Sequence, residues 1–413
     1  MLKIHYHSDI SYFAGCERPL ALLLSSDLLR HQASVSFSFG SYDEYRRDLR
    51  KFVKEGIREV PVRWRFVKAG ARATSWSPGN DEPPSAVGWL RGGVRLFRQH
   101  LHFAEAFLRM MRLLRRIRPD VLHLNNGGYP GATSVRAAAV AGYCLRIPNV
   151  VMVVNNMCVP RVGLERRSQV LQDFLVRRSV SFFITASEEA SGALRTCLRL
   201  EPDKVVVIPN AVPNVASEQL SVVAKRDSDA QHEGFVISCI AMYEPRKGQR
   251  VLLKALARLR DQGQLPGDLS VYLVGEGPER AYLQATIEQF KLDSVVHLLG
   301  YRPDYRVLLG STDVLVVPSV DFEDSPLISL EAMQIGVPVV ASKFGGLLEQ
   351  FKDEKAGLLF EPGDADALAS VLHRVFEEPN LLKNLSHNGP KVFRERYGLD
   401  SFLQAYANVY GLN

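Results

Sequence analysis

VLVVPSVDFEDSPLISLEAMQIGVPVVAS, residues Val314 to Ser342, decides the fold. Two short apolar runs, Val314–Val317 and Val337–Ala341, flank a segment with helical punctuation. Ser325 suits an N-cap and Pro326 the first helical position, while Gly336 stops the helix and Pro338 follows. Strand, helix and strand in this order form the unit of a parallel sheet. The helix then starts just past a strand's carboxyl end, where free N–H groups and the helix dipole favour an anion such as phosphate. Glu323 sits at the mouth of that loop, where a carboxylate repels phosphate but accepts from sugar hydroxyls. Glu331, eight positions on, can accept from vicinal hydroxyls of the kind ribose presents. The stretch is built for a ligand with both phosphate and hydroxyls.

The same alternation runs outward in both directions. The expected strands are Leu2–Tyr6, Ala33–Phe39, Val121–Leu124, Val150–Val154, Phe182–Thr185 and Val205–Ile208. After a break come Val236–Ala241, Ser270–Val274, Val295–Leu298, Val314–Val317 and Val337–Ala341. Repeated strand–helix pairs imply an α/β fold with parallel sheets covered by helices. The break, Pro209 to Gly234, is polar and aperiodic and reads as a linker. Two Rossmann-like domains of comparable size follow, over residues 1–212 and 213–395, with a helix in 396–413 packing back on the first. Ligands of such sheets bind at strand carboxyl ends, so a central cleft between the halves is the expected site.

Other residues gather at the same ends. Arg246 and Lys247 follow strand Val236–Ala241, where a lysine point charge and an arginine fork can neutralise a diphosphate or simply be solvated. Gly275 and Gly277 sit at a strand-to-helix turn that lets backbone approach a ligand, though the third glycine of a dinucleotide fingerprint is missing. Tyr301 and Arg302 follow the next strand, where a ring could meet a nucleobase. On the first half, Asn125, Asn126 and Tyr129 suit a polyhydroxylated acceptor or plain loop chemistry. Asp227–Asp229 and Asp364–Asp366 are literal D-x-D pairs. One lies in the linker and the other caps a helix, so neither is expected to hold a metal. His5 and His7 alternate on the first strand as packed or solvated residues rather than metal ligands.

The chain has 413 residues, 46% of them hydrophobic, which is ample for two packed cores. Five cysteines, Cys16, Cys144, Cys158, Cys197 and Cys239, are scattered with no C-x-x-C pair. That spacing argues against zinc or a disulfide framework and suits a reducing cytoplasm. No run resembles a signal peptide or a membrane span. The net charge of +6 is unevenly spread. Between Trp89 and Arg118 arginines interleave with leucine, phenylalanine and methionine. This basic helix either rests on an anionic membrane or packs on the core with a solvated basic face. No nucleic-acid motif accompanies it.

The set EPRKG, LVGEGP, LLGYRPD, EDSPLISLE, EAMQIGVPVVAS and GGLLE resembles the C-terminal half of retaining family-4 glycosyltransferases of the GT-B fold, in order and spacing over about 150 residues. The tail AGLLFEPGDADALASVL is also similar. The first half resembles them more loosely, through YFAGCE with Gly15 and Glu17, RPDVLHLNN and KVVVIPNAV. The resemblance implies a metal-independent enzyme without cofactor. It would move a sugar from a UDP- or GDP-sugar, with retention of anomeric configuration, to a glycan or lipid-linked oligosaccharide. Bacterial cell-surface polysaccharide biosynthesis at the inner membrane face is the implied setting. It implies that Lys247, with Arg246, binds the donor diphosphate, Glu323 contacts the donor sugar and Glu331 holds the ribose. Backbone N–H groups of Ser325 and Leu327, beside Pro326, would meet sugar and phosphate. Two departures stand out. Met242 occupies the position of a usual arginine, and Asn155 that of a histidine that contacts the donor sugar. Asp324 and Ser325 also replace the more usual Gly-Phe pair. These departures leave an alternative, a catalytically impaired sugar-nucleotide-binding or partner subunit of the same fold.

Overall fold

The computed structural model describes residues 1–10, 13, 15–53, 56–64, 86–159, 163–214 and 234–412; helical residues 86–93, 95 and 163–168 are described by backbone alone. The chain divides into two compact units, Met1–Ile208 with Leu403–Asn413, and Pro209–Phe402.

In the first unit seven described strands form one parallel sheet. They are β1 (Leu2–Ser8), β2 (Ala33–Gly40), β3 (Arg58–Val62), β4 (Val121–Asn126), β5 (Asn149–Val154), β6 (Phe182–Thr185) and β7 (Val205–Val207). Their order, β3-β2-β1-β4-β5-β6-β7, reverses between β1 and β4. Register pairs Ile4 with Val121 on one side of β1 and with Val35 on the other. In the second unit the strands are β8 (Val236–Ile240), β9 (Ser270–Val274), β10 (Val296–Gly300), β11 (Val314–Val317), β12 (Val339–Ser342) and β13 (Gly357–Phe360). The order β10-β9-β8-β11-β12-β13 reverses between β8 and β11. Both are doubly wound sheets, and each reversal opens a crevice at the strands' carboxyl ends.

β11 and β12 of the second sheet are buried on both faces, which is why they read as unbroken apolar runs. Val314 and Val316 of β11 point into a core with Ile237, Leu252 and Leu372. The alternate residues Leu315 and Val317 point into another with Leu330, Leu347 and Phe351. In the first unit the helix Ala86–Ile117 sets Met110 and Leu114 against the sheet core. The apolar residues of that arginine-rich helix are therefore divided. Ala106, Met110 and Leu114 are buried, whereas Phe97 and Leu108 are more than half exposed.

Several expectations are corrected. The first unit ends at Ile208 rather than residue 212, because Val212 joins the second unit's core beside Leu315. The second unit runs to Phe402 rather than 395, since the helix Pro379–Arg396 packs on its core through Val392 and Phe393. The last helix, Leu399–Tyr410, returns to the first unit from Leu403 onward. There the Tyr410 hydroxyl meets His123 Nδ1 at 2.7 Å, and Asn149 donates to the Val409 carbonyl at 2.7 Å. Two edge strands, β3 and β13, escaped the reading of the sequence. The cysteines are not all free. Cys158 and Cys197 form a disulfide, 39 residues apart in sequence, one following β5 and the other on the helix that follows its neighbour β6. Adjacent strands bring the two together, and sequence spacing cannot show that.

Candidate functional site

In the second unit the crevice between β8 and β11 gathers the charged residues expected there. The turn Pro245–Lys247 follows β8, and the loop 318–326 follows β11. The Val320 N–H donates to the Arg246 carbonyl at 2.8 Å, tying the two loops together. Lys247 is thereby placed on Glu323: its ammonium donates to Glu323 Oε2, and Ser319 Oγ donates to the same oxygen at 3.0 Å. Arg246 lies farther off, 3.9 Å from Glu323, and its guanidinium is paired with Glu244 at 2.8 Å. Burial pushes the Glu323 carboxyl up, but Lys247 and then Arg246 outweigh it and hold the group below the usual carboxylate range. Glu323 is thus an ionised, buried acid. Beside it Phe322 takes a left-handed conformation, φ +47°, unusual for an aromatic residue and a mark of a constrained loop.

The helix that follows spans Leu327–Gln334, one residue later than expected. Pro326 is the cap residue rather than the first helical one, and no side chain caps the helix. Ser325 is not the cap. Its hydroxyl accepts from Gln350 Nε2 at 3.0 Å, and its carbonyl accepts from Asn210 Nδ2 at 3.0 Å. The first turn carries no acid, so its N–H groups and the dipole remain available to an anion. The helix ends as read: Gly336 has φ +77° and the Val337 N–H returns to the Ala332 carbonyl.

Glu331 is 5% exposed and held from two sides, by two residues the sequence did not single out. The Tyr305 hydroxyl lies 2.9 Å from both carboxylate oxygens, and Arg306 donates to Oε1 at 2.6 Å. Burial alone would lower the Arg306 pKa, but Glu331 and Tyr305 raise it instead. The only sequence signal for this pair was its position just after YRPD.

The glycines play another part than expected. A side chain on Gly275 would strike the Ala241 carbonyl at 2.0 Å, and one on Gly277 the Tyr243 carbonyl at 2.4 Å. They let the β9 turn press on the β8 loop, so their space is filled by backbone rather than offered to a ligand. Tyr301 is 74% exposed, and Arg302 is half-buried and paired with Asp304 at 2.7 Å. Neither is brought against Lys247, Glu323 or Glu331 by any contact among the described residues.

In the first unit the crevice between β1 and β4 holds a polar network. Asn155 Nδ2 donates to Asn125 Oδ1 at 2.7 Å and to the Asn126 carbonyl at 3.0 Å. Asn125 Nδ2 donates to Glu17 Oε1 at 2.9 Å, and Ser8 and Tyr45 donate to the same carboxyl group. Burial pushes the Glu17 carboxyl up, against the pull of those donors. The Asn126 Oδ1 accepts from the Ala132 N–H, and the Tyr129 hydroxyl donates to Asp173 at 2.8 Å. The polar atoms of Asn125, Asn126 and Tyr129 are therefore taken up inside the unit, and the three are nearly buried. Gly15 has no atom near the place a side chain would fill. His5 and His7 are buried against Ser36 and Ser38. Asp364 caps its helix by accepting from Asp366 and Ala367, while Asp227–Asp229 lies outside the described residues. Among the described residues no group of three metal-ligating side chains occurs, and no helix is long and apolar enough to cross a membrane.

Two doubly wound parallel sheets, with cations and an uncapped helix at the second one's switch point, are the architecture of the GT-B fold. Residues 63–214 match the family model described as Glycosyltransferase Family 4, and residues 223–392 that described as Glycosyl transferases group 1. The chain belongs to the family-4 glycosyltransferases. The 2-deoxystreptamine glucosyltransferase of Streptomyces kanamyceticus is 28% identical over 288 residues, covering 67% of this chain and 73% of that protein. The amylovoran biosynthesis glycosyltransferase AmsK of Erwinia amylovora is 32% identical over 154 residues, covering 36% of this chain and 37% of that protein. The chain thus spans little more than a third of one relative's length and about three-quarters of the other's. The fold is shared with Anabaena Alr3699/HepE, solved in complex with UDP and glucose, at a TM-score of 0.73 and 20% identity over 100% of both chains.

Proposed function

We propose that this protein transfers a sugar from a nucleotide-diphosphate sugar, a UDP- or GDP-sugar, to a glycan or lipid-linked acceptor, with retention and without a metal. The setting would be cell-surface polysaccharide biosynthesis at the cytoplasmic membrane face. The observation that carries this reading is the Lys247–Glu323 pair beside the uncapped helix at Leu327. A departing nucleoside diphosphate gains negative charge, which Lys247, Arg246 and the helix N–H groups can stabilise without a cation. Glu323, kept ionised, is suited to accept from sugar hydroxyls, and Glu331 to accept from ribose while Tyr305 and Arg306 fix its orientation. The relative named for amylovoran biosynthesis supports the polysaccharide setting, and the neighbour solved with UDP supports a nucleotide donor.

Binding of UDP, GDP and matching sugar nucleotides tests this by thermal stabilisation, with and without chelator. A ligand at about a hundred times its dissociation constant should add about 2.7 kcal/mol. One nucleotide stabilising the protein regardless of chelator supports the reading; stabilisation that needs a metal overturns its metal-free part. Glu323→Ala should abolish turnover while nucleotide binding persists. The impaired-subunit reading draws on Met242, 41% exposed where an arginine is usual, and on Asn155, committed to Asn125 and Asn126. Wild-type protein that binds nucleotide yet transfers no sugar to any acceptor would favour it.

A further inference from the structure

At the amino-terminal edge of the first unit's sheet, opposite the ends that carry Asn125 and Asn155, lies a cavity of about 630 Å³. Three cations from three connections line it. Arg146 follows the helix Thr133–Cys144, Arg178 lies in the last turn of the helix Gly163–Ser179, and Lys204 ends the turn before β7. No carboxylate is among the lining residues. Arg146 and Arg178 are exposed, and no hydrogen-bond or ion-pair partner engages either guanidinium among the described residues. The Lys204 ammonium is fixed at the wall by the Ser181 carbonyl, 3.3 Å away. A helix carboxyl end attracts one cation through its dipole, which accounts for Arg178. It does not account for Lys204, nor for three like charges facing one hollow, which repel one another unless an anion joins them.

An apolar stripe leads out of this hollow. On the helix Gly163–Ser179, Leu171, Phe174 and Arg178 are spaced three and four apart and share one face. Leu171 is 67% exposed and Phe174 49%, and Arg177 lies over the Phe174 ring at 5.7 Å. Tyr143, half exposed, stands on the other wall. A free phosphate would use the cations and leave the stripe in water. A phosphate joined to acyl chains uses both, with the tyrosine at the polar boundary.

We propose that this cavity is a docking site for the phosphate headgroup of an anionic lipid, with Leu171 and Phe174 entering the acyl layer. The inference deepens the membrane part of the proposed function, on which it rests. It assigns the contact to a surface distinct from the arginine-rich helix. Donor binding is read separately, by nucleotide stabilisation, so failure here and failure there are distinguishable.

The test is sedimentation of the full chain with phosphatidylcholine vesicles, with and without phosphatidic acid. Wild type should bind only the acidic vesicles. Arg146→Glu with Arg178→Glu should weaken binding at least tenfold, and so should Leu171→Ser with Phe174→Ser; glutamine in place of the two arginines serves if the glutamate pair misfolds. Nucleotide stabilisation should stay at the wild-type value in every variant. Indifference of wild type to phosphatidic acid overturns the proposal. So does a loss that follows Arg98→Glu and Arg112→Glu on the arginine-rich helix while both cavity variants still bind. Binding of inorganic pyrophosphate, by calorimetry, without binding of vesicles would make this a free-phosphate site and overturn the lipid assignment.

Discussion

Lys247 and Glu323 form a largely buried pair whose loss can be measured. Lys247→Ala leaves an ionised carboxylate with Ser319 and a more distant Arg246, and should cost about 3 kcal/mol of stability by chemical denaturation. Adding Glu323→Gln should return part of that loss while leaving transfer abolished, which separates stability from function. His123 gives a second residue-scale prediction. Burial lowers its pKa from 6.5 to about 3, so the folded protein keeps it neutral while the unfolded chain protonates it. A lowered folded pKa means that stability is lost as pH falls below 6.5, at up to about 1.4 kcal/mol per pH unit for this group. His123→Phe should cost about 1 kcal/mol at pH 7 through the orphaned Tyr410 hydroxyl. Between pH 6 and 4 its stability should fall less steeply than wild type, by one proton's worth. Equal slopes would show that His123 does not titrate as described. Glu323, Glu331, Lys247 and Arg246 were legible because they follow strand ends at fixed spacings. Tyr305 and Arg306 were not, since a helix apart in sequence brings them onto Glu331 only once β10 and β11 lie in the same sheet.

At the scale of elements, the β9 turn depends on close backbone approach. Gly275→Ala places a methyl group 2.0 Å from the Ala241 carbonyl at a backbone φ of +148°. The β8 loop that positions Arg246 and Lys247 must then move. A loss of about 3 kcal/mol or more in the second unit is expected, seen as a lower melting temperature together with weaker nucleotide binding. An unchanged melting temperature would mean that the turn is free to shift. All eleven expected strands match observed ones within two residues at each end, because buried strands of a parallel sheet are rich in apolar and β-branched residues. Leu2–Tyr6 stops two residues short, as β1 runs on to Ser8 through His7, a polar residue whose burial rests on Ser38. The two missed strands lie at sheet edges. No residue of β3 is fully buried and the strand includes Pro61, and β13 is four residues long and opens with a glycine.

Over the whole molecule, the chain begins and ends in the first unit. Tyr406 and Tyr410 pack with Tyr6 and His123 of β1 and β4. Removing residues 403–413 should therefore strip hydrogen-exchange protection from β1 and β4 while β11 and β12 keep theirs. Loss of protection in all four strands alike would contradict this division. The sequence by itself determined the parallel α/β class, the two halves and the charged residues at the second switch point. Buried strands, helix stops and strand-end loops leave local marks in residue type and spacing. Only the tertiary structure decided which partners those residues meet: Gln350 on Ser325, Arg306 on Glu331, Cys158 on Cys197, and the last helix on β4. Each joins segments distant along the chain, and sheet order, which no local pattern encodes, sets which segments become neighbours.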